Sequence, residues 1–137
     1  MRCFQKNIIF LFADEPHFLS TMINSSVPVG RDASLVCHVS ESQGFKVAWV
    51  RVETQTILTM NEHVITRNHR IKVSNPEKAE WRLDIADVKR RDAGYYMCQV
   101  NTDPMKSQLG YLEVVGKSLH IQRKTIKSSS MQSHQQY

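Results

Sequence analysis

Between Val27 and Val115 apolar and polar residues alternate along most of the chain. A period of two marks half-buried strands rather than helices. Ala33, Leu35, Cys37 and Val39 share one parity, as do Val47 with Trp49, Trp81 with Leu83 and Ile85, and Tyr96 with Cys98 and Val100. Ile71 with Val73 and Leu112 with Val114 predict two further strands. Val27-Pro28-Val29-Gly30 predicts an edge strand ending in a turn, because Pro28 lacks the N–H that an inner strand needs. Two short apolar-polar runs, Thr56–Met60 and His63–Thr66, are separated by Asn61-Glu62 and predict a pair of small strands. Val88 is placed to close the core beneath the turn that follows Ile85.

Four residue types in register convert this strand pattern into a fold. Cys37 and Cys98 lie on different strands, Trp49 falls between them, and Tyr96 stands two residues before Cys98 within Asp92-Ala93-Gly94-Tyr95-Tyr96-Met97-Cys98. An immunoglobulin-type sandwich uses such a set: two cysteines bridging the sheets, a tryptophan packed on the bridge, and a tyrosine that turns back to hold a corner. The expected fold is therefore all-β, an immunoglobulin-like β-sandwich of variable type, with the Thr56 and His63 runs as its extra C′ and C″ strands. Cys37–Cys98 is the expected disulfide, and Trp49, Leu83 and Tyr96 are expected in the core. A bridge closing about 60 residues contributes roughly 4 kcal/mol through loop entropy and implies an oxidising compartment. Arg70 and Asp92 occupy positions that in variable-type domains meet as an ion pair, and the guanidinium suits a two-pronged grip on a carboxylate.

Charge and hydropathy divide the chain. Residues 1–13 carry Arg2 and Lys6 before the short apolar run Ile8–Ala13, a weak or truncated signal-like leader holding the odd cysteine, Cys3. Residues 14–115 form the domain, and residues 116–137 are expected to be a basic, disordered tail rich in Ser and Gln. The formal charge of +5 belongs to that tail: without its four Lys and Arg, 14 basic residues face 13 acidic ones. Such a near-neutral domain has no footprint for nucleic acid. No apolar run approaches the roughly 20 residues of a transmembrane helix.

Catalytic chemistry finds no foothold in the sequence. The six histidines are scattered and the cysteines are too far apart for a zinc motif, so neither enzyme activity nor a metal or cofactor is expected. Asn24-Ser25-Ser26 is an N-glycosylation triplet in front of the first strand. The stronger signal points outward. Ala48 and Val50 have the parity opposite to Trp49, and Ile57, Leu58, Met60, Val64 and Ile65 crowd the two small strands. Gln99, Asn101, Thr102, Asp103, Pro104 and Met105 follow on or after the Cys98 strand. An apolar patch rimmed by hydrogen-bonding side chains has the composition of a protein-binding face.

Longer motifs sharpen this expectation. Lys46-Val47-Ala48-Trp49-Val50-Arg51, Thr54–Thr59, Val64–Asn68, Trp81–Ile85 and Tyr95–Met105, the last containing Gln-Val-Asn-Thr-Asp-Pro-Met, occur in this order. In them the chain resembles the first immunoglobulin domain of the insect neuronal Dpr-interacting proteins, the DIP family, close to lachesin. The resemblance covers residues 14–115 and implies a neuronal cell-surface domain that binds first immunoglobulin domains of the Dpr family face to face in synaptic partner choice. Some members of that family also pair with themselves. Carried over by position, the implied contacts are Ala48, Val50, Ile57, Thr59, Met60, Val64, Gln99, Asn101, Thr102 and Asp103. The chain departs from the family in continuing after one domain into the basic tail, where members usually carry three domains and an anchor. Homophilic adhesion through the same face, a structural immunoglobulin module without such a partner, and an immune receptor reading through its loops are the alternatives.

Overall fold

The computed structural model describes residues 15–116, so the leader-like segment with Cys3, and residues 117–137 of the tail, lie outside the described residues. Nine strands form two sheets: β1 (Ser25–Pro28), β2 (Ala33–His38), β3 (Val47–Arg51), β4 (Thr56–Met60), β5 (His63–Val64), β6 (Ile71–Ser74), β7 (Glu80–Ile85), β8 (Gly94–Val100) and β9 (Lys106–Val115). One sheet runs β1-β9-β8-β3-β4-β5 and the other β2-β7-β6. β1 pairs with β9 in parallel and all other neighbours are antiparallel. Pro28 thus sits on an edge strand, as its missing N–H demands. The strand expected over His63–Thr66 is shorter and stops at Val64.

Alternation builds the core. Ala33, Leu35, Cys37 and Val39 are buried from one sheet, together with Trp81, Leu83, Ile85 and Ile71. Val47, Trp49, Tyr96, Cys98, Val100 and Leu112 are buried from the other. The Cys37–Cys98 disulfide joins the sheets with Cα atoms 6.4 Å apart. Each half-cystine has an indole beside it on its own sheet, since Trp49 stands opposite Cys98 and Trp81 opposite Cys37. Fully burying side chains of this size contributes about 1.5–3 kcal/mol each.

The turn between β7 and β8 is held electrostatically. Arg70 reaches Asp92 with both prongs, Nη1 to Oδ2 at 2.7 Å and Nη2 to Oδ1 at 3.0 Å, and Asp92 Oδ2 also accepts the Lys89 N–H. Gly94 follows at φ +138°, a backbone region unfavourable to L side chains, and a Cβ there would meet the Glu53 carboxylate at 2.8 Å. The Glu53 side chain can swing aside, so the backbone angle is what selects glycine here.

Candidate interaction face

The outward faces of the two sheets differ in chemistry. On the three-stranded sheet the outward positions are Ser34, Val36 and His38 on β2, Arg82, Asp84 and Glu80 on β7, and Lys72 and Ser74 on β6. Arg82 pairs there with Glu80, so this face is polar and partly self-paired. On the six-stranded sheet the register brings together Tyr111, Leu109 and Ser107 from β9, and Tyr95, Met97 and Gln99 from β8. Val50 and Ala48 follow from β3, then Ile57 and Met60 from β4. Ile57 is 43% exposed, Leu109 51% and Tyr95 48%. Tyr95 and Tyr111 stack edge to face with ring centres 4.9 Å apart.

Small residues occupy the middle strand and large ones its flanks. Ala48 lies opposite both Met60 and Gln99, and Val50 opposite both Ile57 and Met97. Ala48 and Val50 point outward yet are buried, because these longer neighbours lean over them. The result is a hollow of about 310 Å³ with Ala48 at its floor and Lys46, Ile57, Met60, Gln99, Asn101 and Met105 around it. Met105 is 56% exposed, and the Gln99 amide contacts its sulfur.

The structure removes some sequence-expected residues from this face. Leu58 was expected in the outward patch and is instead buried in the core. A bulge accounts for this: Trp49 pairs with Thr59 and Val50 with Ile57, leaving Leu58 as the extra residue of β4. Thr59, an expected contact, is fully buried on the Trp49 side. Val64 stands opposite Thr59 and so shares its parity, with exposure coming from its place on the edge strand β5. Thr102 is buried and donates its hydroxyl to the Pro104 carbonyl at 2.8 Å, which makes it part of the loop's own scaffold. Asn101 and Asp103 are exposed, but the Asn101 side-chain oxygen already accepts the Lys46 N–H at 2.7 Å. One lone pair of that oxygen is thus committed to the scaffold, and no bond engages the Asn101 amide nitrogen among the described residues. Ile65 is exposed beyond the end of β5.

Five residues of this face escaped the sequence reading: Tyr95 and Met97 on β8, and Ser107, Leu109 and Tyr111 on β9. Counting back by twos from Gln99 gives Met97 and Tyr95, so the signal was present in the parity of β8. Ser107, Leu109 and Tyr111 required knowing which β9 residues face Gln99, Met97 and Tyr95, and pairing supplies that.

Two neighbouring groups have displaced pKa values. Burial by itself raises the Asp92 carboxyl, but hydrogen bonds from Arg70 and the Lys89 N–H outweigh it and hold the group below the ordinary carboxylate value. Burial pushes the Tyr96 phenol up to about 12. Both groups lie at the β7–β8 turn and serve the scaffold. Among the described residues no group of three metal-ligating side chains converges, and no helix is long and apolar enough to cross a membrane.

Comparison with known proteins agrees with this geometry. The immunoglobulin V-set domain family matches residues 23–115. In the crystal structure of Dpr1 IG1 bound to DIP-eta IG1, a chain 56% identical to this one superposes with a TM-score of 0.72, covering 74% of this chain and 96% of its own. In the complex of Dpr2 Ig1-Ig2 with DIP-Theta Ig1-Ig3 the corresponding values are 57% and 0.73, over 74% of this chain and 35% of the other. The RIG-5 IG1 homodimer is 28% identical with a TM-score of 0.68, over 73% of this chain and 97% of that one. Two curated relatives are Zwei Ig domain protein zig-8 of Caenorhabditis elegans, 29% identical over 111 residues, and cell adhesion molecule 2 of Homo sapiens, 30% identical over 93 residues. The matches cover 78% and 68% of this chain but only 41% and 21% of those relatives.

Proposed function

The chain belongs to the immunoglobulin V-set family, and from that premise we propose that it is an extracellular recognition domain that binds a cognate immunoglobulin domain of the Dpr type, face to face, through the outward side of its six-stranded sheet. The contrast between the sheets carries this reading. One outward face is polar and partly self-paired, while the other offers Ile57 and Met60 beside a hollow floored by Ala48, with Met97, Leu109 and Tyr95 farther along the same face. Apolar anchors surrounding a pocket concentrate binding energy, and the polar rim of Lys46, Gln99, Asn101 and Asp103 sets register. Differences in the shape of the hollow would discriminate between partners. The role is adhesive and neuronal, at the cell surface, and needs neither cofactor nor catalysis.

Solved relatives include both complexes between different IG1 domains and an IG1 homodimer. Self-association through the same face is accordingly the second reading. Surface plasmon resonance of the oxidised protein against a panel of Dpr IG1 domains and against itself separates the two. Binding to a subset of the panel, lost in Ile57→Asp, is the expected result. Binding only to itself would establish the homophilic reading, and silence against both would remove this face from recognition.

A further inference from the structure

Asn24-Ser25-Ser26 is the only Asn-X-Ser/Thr triplet in the chain. The structure gives it a defined setting. Asn24 is exposed immediately before β1, and its side-chain oxygen accepts the Tyr111 N–H at 2.9 Å. The preceding residues are anchored to β9 as well, since Gln108 accepts from the Met22 N–H at 3.0 Å and donates to the Ser20 carbonyl at 2.9 Å. Only the oxygen of the Asn24 amide is engaged among the described residues. Modification of its nitrogen therefore leaves the strand contact intact.

Asn24 also forms part of the wall of a groove of about 310 Å³, together with Thr21, Ile23, Ser34, Val36 and His38. Ser34, Val36 and His38 are the outward residues of β2, so the groove opens on the side of the small sheet, away from β3 and β4. Ile23 is 83% exposed there, beside hydroxyls and an imidazole. An apolar side chain ringed by hydrogen-bonding groups suits a sugar, whose ring has an apolar face and a hydroxyl rim.

We propose that Asn24 carries an N-linked glycan whose innermost N-acetylglucosamine lies in this groove over Ile23, covering the back of the domain and leaving the six-stranded face open. The inference rests on the extracellular reading above. In the transfer, the Asn24 amide nitrogen bonds to the anomeric carbon of a lipid-diphosphate-linked oligosaccharide. The bond from that carbon to the diphosphate oxygen breaks, the nitrogen releases one proton, and the lipid diphosphate departs. The remaining N–H and the carbonyl oxygen persist, the oxygen still facing Tyr111.

The full chain, placed behind a heterologous secretory leader and expressed in mammalian cells, tests this directly. Intact mass before and after peptide-N-glycosidase F should show a single glycan. Ser26→Ala, which destroys the triplet but keeps the Asn24–Tyr111 bond, should be secreted folded and unmodified. An unmodified wild-type chain would overturn the site, and because the leader is supplied, that result would say nothing against the binding face. On the glycosylated protein, nuclear Overhauser contacts between the acetyl methyl of the sugar and the Ile23 methyls are expected, and their absence would overturn the seating. Wild type and Ser26→Ala should behave identically on the immunoglobulin-domain panel and in self-association. A change of more than about twofold in either would place the glycan on the recognition side and refute the arrangement.

Discussion

The phenol of Tyr96 donates a 2.6 Å hydrogen bond to the backbone carbonyl of Asp92, four residues earlier in the chain. The same Asp92 receives both prongs of Arg70, and the Tyr96 oxygen accepts from Arg51 at 2.7 Å. One buried network thus fixes the turn into β8, the strand that carries Cys98 inward and Met97 and Gln99 outward. Tyr96→Phe should cost about 1–3 kcal/mol in denaturant unfolding, with partner affinity unchanged. The phenol is held protonated in the fold, its pKa raised from 10 to about 12. Stability from this group is therefore present below pH 10 and declines as pH rises through 10 to about 12. Tyr96→Phe should lack that part of the alkaline decline.

The Arg70–Asp92 pair supplies an acid-side counterpart. Because the folded carboxyl lies below its ordinary value, its contribution is full above that value and is lost as pH falls through the folded pKa. Asp92→Asn should flatten stability against pH below about 4, where wild type declines. Arg70→Ala strands a buried carboxylate and should cost about 3 kcal/mol or more, measured by urea unfolding at pH 7.

Adjacent residues on β4 should respond in opposite ways. Ile57→Asp introduces a charge on the exposed apolar face and is expected to leave the unfolding midpoint nearly unchanged while reducing binding at least a hundredfold. Leu58→Ala empties a core site and should cost about 2–5 kcal/mol, while the fraction that remains folded binds normally. Paired calorimetry and surface plasmon resonance on the two variants would expose a misassigned register at once.

Leu109→Asp extends the test to β9. Ordinary binding by a folded Leu109→Asp variant would exclude β9 from the recognition surface, whereas loss comparable to Ile57→Asp is expected.

Thr59 offers a test of the inward assignment. Its hydroxyl is buried without a hydrogen-bond partner among the described residues. Thr59→Val keeps the shape and removes the unsatisfied group, so it should stabilise the domain by about 1 kcal/mol with binding unaltered. Weakened binding would return Thr59 to the recognition face.

Short-range patterning made the sandwich legible. Cys37, Trp49, Tyr96 and Cys98 need only their spacing and parity to declare two bridged sheets, because a strand sends successive side chains to opposite faces with little freedom. The outward parity of Ala48, Val50, Gln99 and Asn101 was legible for the same reason. Parity fails where the pairing slips. The bulge opposite Trp49 and Val50 turns Leu58 into the core and takes Thr59 with it, and nothing in Thr56–Met60 announces that extra residue. Burial of Ala48 and Val50 also depends on which long side chains stand across from them, and the depth of the hollow follows from that. The fold, the disulfide frame and the strands able to face a partner each depend on residues related within one or two strands, and so could be read from the chain. The side chains lining the hollow and the Asn24–Tyr111 contact arise instead from pairing between segments far apart in the chain, which no local pattern encodes.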